Sequence, residues 1–283
     1  MRKSMAGILV LFVKLGPKFV SFLMKLLKGV KVTKTGLAGA SMASYAYMFT
    51  WEFAAMIMLM LFVHESGHIW AMKRCGIKTK GIYFIPFVGG AAVAEEAFPS
   101  RGAETYIAIM GPIWGGLLAA VSMLVYYETQ NPMFAAAAAW MAMINVFNLI
   151  PINPLDGGRI LKSIAFSIDR RFGLVFMLMG LIASLYATIY FRAGLFVLLV
   201  VIGFVELLWE YGRYKRSFDG QLAYDEELCR IVQRDVKYPP RMSTATTTTS
   251  VIAYMGTAAA LWFMMSAMNH VPGAAEAMKI LTH

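Results

Sequence analysis

Apolar residues fall in long blocks along this chain, with most of the charge gathered between the blocks. Trp51 to Met72, Ala103 to Tyr127, Met133 to Ile150, Phe172 to Phe191, Ala193 to Tyr211 and Ser243 to near Asn269 carry few charged residues. A helix needs about 20 apolar residues to cross hydrocarbon, and several of these blocks approach or exceed that length. Thr35 to Thr50 is uncharged, rich in small residues, and reads as a shorter first crossing. Barrel-type alternation is absent. The pattern therefore predicts an all-α polytopic membrane protein with about six to seven transmembrane helices. One stretch departs from it. Gly81 to Ala97 mixes aromatic and β-branched residues with Pro86 and the pair Gly89-Gly90, which predicts a small membrane-associated β-hairpin or loop.

Composition agrees: 59% of residues are apolar, 15% are charged, and the mean hydropathy is +0.62. The net charge of +10 could suit a nucleic-acid binder. Its distribution points to topology instead. All but two of the 26 Lys and Arg, the exceptions being Arg192 and Lys279, fall in segments that the predicted helices place on one side. The positive-inside rule makes that side cytoplasmic and leaves the C-terminus outside after seven crossings of the cell membrane. Residues 1–34 hold eight Lys and Arg and no acid, a basic amphipathic arm suited to the surface of an anionic bilayer. Residues 35–211 form a transmembrane core, 212–245 a charged cytoplasmic linker, and 246–283 a last span with a short tail. Cys75 and Cys229 lie in basic segments, which predicts reduced thiols rather than a disulfide. No cleaved signal peptide is read at the N-terminus.

The chemistry sits in His64-Glu65-Ser66-Gly67-His68, which follows the apolar run Phe53 to Val63 and holds two of the four histidines. Positions i and i+4 share a helix face, so both imidazoles can reach one metal ion, with Glu65 as the general base. Ionisable groups are costly inside an apolar helix and usually mark function there. Counting back from the basic end of the helix puts the site roughly 8–14 Å below the cytoplasmic surface. Two histidines leave a catalytic zinc short of a third ligand. Asp156, in the Pro/Gly-broken run Asn148 to Arg159, is the carboxylate best placed to return toward the bilayer. Local sequence alone favours a helix N-cap or turn role for it. Glu95 and Glu96 are other candidates, most simply read as a solvated edge. The glycines of Gly111-Pro112 and Gly115-Gly116 read as close helix packing.

Taken together, His64-Glu65-x-x-His68 and Asn148-x-x-Pro151-x-x-Pro154-Leu155-Asp156-Gly157-Gly158 resemble the site-2 protease family of intramembrane zinc metalloproteases, over about residues 50 to 211. The resemblance implies that His64, His68 and Asp156 bind Zn2+ and that Glu65 activates water. It implies that Asn148 holds substrate or stabilises an oxyanion, and that the Gly89-Gly90 region receives an unwound substrate. The implied activity is hydrolysis of a peptide bond in or near the transmembrane segment of a single-span protein within the lipid bilayer, with no nucleic acid involved. A metal-ion transporter or a non-catalytic scaffold could use the same ligands. No repeated halves are visible to support the first, and both motifs are intact, against the second.

Overall fold

The computed structural model of the chain describes residues 33–86, 89–191, 194–222 and 239–282. The basic arm up to residue 32, Arg192, Cys229 and most of the expected linker lie outside the described residues.

Most helices begin where a small polar side chain can take up a free backbone N–H, which is what an N-cap does. Helix α1 is Lys34–Met48, capped by Thr33, and α2 is Trp51–Arg74, capped by Thr50. Ser100 caps α3, Arg101–Thr129, and Asn131 caps α4, Pro132–Asn148. Helix α5 is Asp156–Ile168, α6 is Arg170–Phe191 and α7 is Gly194–Leu222. Ser243 caps α8, Thr244–Asn269, and α9 is Ala274–Thr282. Between α2 and α3 lies the expected hairpin. Strand β1, Thr79–Ile85, pairs antiparallel with β2, Gly89–Ala94, setting Tyr83 opposite Ala91 and Ile85 opposite Gly89. Gly89 has φ +124°, open to glycine and strained for other residues.

Four helices among the described residues are long and apolar enough to cross a membrane: Trp51–Arg74, Arg101–Thr129, Arg170–Tyr190 and Thr244–Asn269. The chain is a multi-pass membrane protein. Helix α4 is only 17 residues long, ending at Asn148 rather than at Ile150 where the apolar block ends, because Pro151 and Pro154 stop it. Helix α1, with 15 residues, also falls short of the usual span.

Helix α2 packs on α3, α3 on α4 and α5, and α4 on α8, around Phe53, Met60, Ile160 and Leu261. Lipid tails are as apolar as these side chains, so close packing rather than water exclusion must hold such helices together. The sequence supplies it with small residues. Ala135, Ala136, Ala138, Ala139 and Ala142 on α4 are all buried. Helices α6 and α7 form a hairpin, and α6 packs on α5.

The segment from residue 212 begins as helix, since α7 runs on to Leu222, with Glu210 and Arg213 paired one turn apart at 3.6 Å. The C-terminal tail is also structured: Ala274 and Ala277, three residues apart, bury themselves as α9 packs on α4.

Candidate metal centre

His64 and His68 lie one turn apart on α2, both buried, with ring centroids 4.8 Å apart and planes nearly perpendicular. Asp156 arrives from 92 residues away because the chain after α4 doubles back on itself. A Cβ on Gly157 would collide with the backbone at Leu149, and one on Gly158 with the backbone at Ile152 and Asn153. Only glycine permits that fold-back. Asp156 then opens α5, whose N-cap is Leu155 with no side-chain cap bond. The N-cap role that local sequence favoured for Asp156 is therefore replaced: its carboxylate turns to the histidines instead.

Asp156 Oδ2 lies 3.1 Å from His64 Nε2 and 3.3 Å from His68 Nε2, and the two Nε2 atoms are 3.1 Å apart. The protons on the far side of each ring can be assigned. His68 Nδ1 is 2.8 Å from the Ile107 carbonyl, which only accepts, so Nδ1–H donates. Asn145 Nδ2 donates to the Met141 carbonyl at 2.8 Å, which leaves Oδ1 to accept from His64 Nδ1 at 2.9 Å. With both Nδ1 atoms protonated, neutral rings present two bare Nε2 lone pairs to each other and to a carboxylate oxygen. A cation there would satisfy all three atoms. A tetrahedral ion with bonds of about 2.0–2.1 Å separates its ligand atoms by about 3.3–3.4 Å, so the donor set fits zinc in spacing and in chemistry. Among the described residues, His64, His68 and Asp156 are the group so arranged. Arg159 Nη1 stands 4.0 Å from the other Asp156 oxygen, adding positive charge without occupying the donor face.

Glu65 points to the hairpin. Its Oε2 accepts from Ala92 N–H at 2.7 Å, on the edge of β2 that faces away from β1. Gly90 lies against it too: a Cβ there would be 2.7 Å from Glu65 Cγ. At Gly89, the next residue back, a Cβ would come no nearer than 3.9 Å, to Leu61, among the described residues. Asn148 ends α4 half-buried, and among the described residues its side chain makes no hydrogen bond. Glu95 and Glu96 are exposed and stand apart from the histidines, as a solvated edge should.

Sequence reasoning passed over Asn145 and undervalued Gly111. The α3 glycines do serve close packing, but against the site. A Cβ on Gly111 would run into His68 Nε2 and approach His64 Nε2 to 2.7 Å, and one on Gly115 would overlap Asn145. An asparagine inside an apolar helix was the available signal, since polar groups there need a reason. A buried charge cluster also went unread. Arg101 pairs with Glu104 at 3.1 Å and Glu210 at 3.0 Å, while Lys162 pairs with Glu104 at 2.6 Å and with Glu206, joining α3, α5 and α7. From outside the core motif, Tyr254 of α8 donates its hydroxyl to the Leu149 carbonyl at 2.7 Å, bracing the start of the fold-back.

The sequence profile described as peptidase family M50 matches residues 52–135 and 128–201, which include the whole candidate site. The chain is 31% identical over 153 residues to the zinc metalloprotease MJ0392 of Methanocaldococcus jannaschii, covering 46% of this chain and 44% of that protein. It is 34% identical over 134 residues to the putative zinc metalloprotease sll0528 of Synechocystis, covering 42% and 33%. It is 30% identical over 112 residues to stage IV sporulation protein FB of Bacillus subtilis, covering 37% of each. The chain thus matches less than half the length of these relatives.

Proposed function

Since the chain belongs to peptidase family M50, the site-2 proteases, we propose that it is a zinc-dependent endopeptidase that cuts membrane proteins in or near a transmembrane segment. The observation that carries this reading is the trio of potential ligand atoms, two Nε2 and one carboxylate oxygen, converging within 3.3 Å of one another. His64, His68 and Asp156 would hold the zinc. Bound there, zinc supplies Lewis acidity, making water acidic enough to attack near neutral pH and polarising the scissile carbonyl.

Glu65 takes the proton from the attacking water and delivers it to the departing amine. Asn148, whose side chain makes no hydrogen bond among the described residues, donates one to the carbonyl oxygen as negative charge develops there. A substrate helix must unwind before its amides can be reached, and a strand partner replaces its lost hydrogen bonds. The outer edge of β2, formed by Gly90 and Ala92 with Gly89 at its entrance, is that partner. A peptide strand entering there takes up the Ala92 N–H and releases the Glu65 carboxylate for its proton work. Water reaches the site along the non-helical run of residues 149–155, since exposed backbone at membrane depth must line a polar cavity.

The substrate is a single-span protein presented within the bilayer of the cell membrane. The basic loops and the opening of the site face the cytoplasm. Helices α4 and α7, with α1 or the basic arm, join the four long helices to make six to seven crossings.

The test uses the full chain in detergent with zinc and a single-span substrate. Glu65→Gln keeps its zinc and loses cleavage by about 10²–10⁴-fold. Undiminished cleavage by that variant takes Glu65 out of the mechanism.

A further inference from the structure

We infer that Asn145 is a positioning residue for metal binding: it fixes the tautomer and the tilt of His64, so that Nε2 and not Nδ1 faces the ion. The inference rests on the zinc reading above and adds a residue outside both motifs.

Asn145 lies on α4, 81 residues from His64, and is fully buried. Burial matters because no water can stand in as acceptor for His64 Nδ1–H. The Asn145 carboxamide is held from several sides. Its Nδ2 donates to the Met141 carbonyl at 2.8 Å and lies 3.5 Å from Met60 Sδ. Gly115 of α3 leaves it room, and a Cβ on that glycine would meet Asn145 Cγ at 2.7 Å. With Nδ2 committed to Met141, the amide cannot flip, and Oδ1 must face the ring. His64 Nδ1–H then donates to it at 2.9 Å, and the lone pair on Nε2 is directed at Asp156 and His68.

His68 reaches the same tautomer by another route, donating to the Ile107 carbonyl at 2.8 Å. That partner is backbone and comes with α3. The His64 partner is a side chain, so substitution can remove it. A metal-binding histidine that loses the acceptor on its other nitrogen typically gives up 10–100-fold in metal affinity.

The experiment measures the zinc dissociation constant of the full chain in detergent by competition with a chromophoric chelator. Asn145→Leu fills the space without an acceptor. Asn145→Ala removes the acceptor with less demand on packing and serves if the leucine variant does not fold. Asn145→Asp restores an oxygen acceptor. Thermal unfolding of the metal-free proteins is followed alongside. The expected result is a dissociation constant raised about 10–100-fold in the leucine and alanine variants. The aspartate variant should return to within a few fold of wild type, irrespective of the order of the metal-free unfolding temperatures. Wild-type affinity in the leucine or alanine variant overturns the inference. So does an aspartate variant as weak as alanine, which would assign the loss to packing. A wild-type chain that binds no zinc overturns the metalloprotease reading itself, and the inference with it.

Discussion

At the residue scale, small side chains near the histidines matter for what they leave open. Gly90 keeps β2 close enough for Ala92 N–H to hold Glu65 at 2.7 Å. Gly90→Ala would put a methyl 2.7 Å from Glu65 Cγ and 3.0 Å from Oε1, so the carboxylate must swing aside. A displacement of about 1 Å in a reacting group can cost on the order of 10²-fold in rate. Gly90→Ala is therefore expected to cleave substrate about that much more slowly while binding zinc as wild type does. Gly39→Ala is the control, since a Cβ there meets nothing within 4 Å. Cleavage rate and zinc stoichiometry, measured on both variants, decide the matter. Equal rates would detach Gly90 from the chemistry.

At the element scale, α5 carries Asp156 at one end and Lys162 two turns later, and the lysine anchors the helix. Lys162 is buried between Glu104 of α3 and Glu206 of α7. Ser163 Oγ adds a hydrogen bond to Glu104 at 2.8 Å. A buried ion pair is weak evidence of net stabilisation, but removing one partner strands the other charge. Lys162→Met is expected to lower stability by about 3–5 kcal/mol, read as a drop in the unfolding midpoint in detergent. Lys34→Met, at an exposed lysine, should change it by about 0–1 kcal/mol. Similar midpoints for the two variants would mean that water or lipid headgroups already solvate the cluster.

At the scale of the whole molecule, the metal site ties α2 to α5, which are joined through the sequence only by way of the hairpin, α3 and α4. A ligand that binds only the folded chain stabilises it, by about 2.7 kcal/mol at a hundred times its dissociation constant. Stripping zinc with a chelator is therefore expected to lower the unfolding midpoint of wild type, and adding zinc back to restore it. Asp156→Ala should show little of this response. A chelator shift of equal size in Asp156→Ala would place the stabilising ion elsewhere.

The sequence by itself determined whatever depends on short spacings. Apolar blocks and capping residues set the long helices, and Pro86 with the Gly89-Gly90 pair marked the hairpin. The four-residue spacing of His64 and His68 put both rings on one face, because an α-helix brings i and i+4 together wherever it packs. Proximity across 92 residues was left to tertiary structure. Asp156, Glu95 and Glu96 are all carboxylates near a turn, and local pattern favoured a cap for the first. Packing chose among them, through the collision that only Gly157 and Gly158 avoid. The same holds for Asn145, which reads as one polar residue in an apolar helix until α2 and α3 close around it. Hydrogen bonding and ion pairing are short-ranged, so partners such as His64 with Asn145, or Lys162 with Glu104 and Glu206, exist only once the helices have docked.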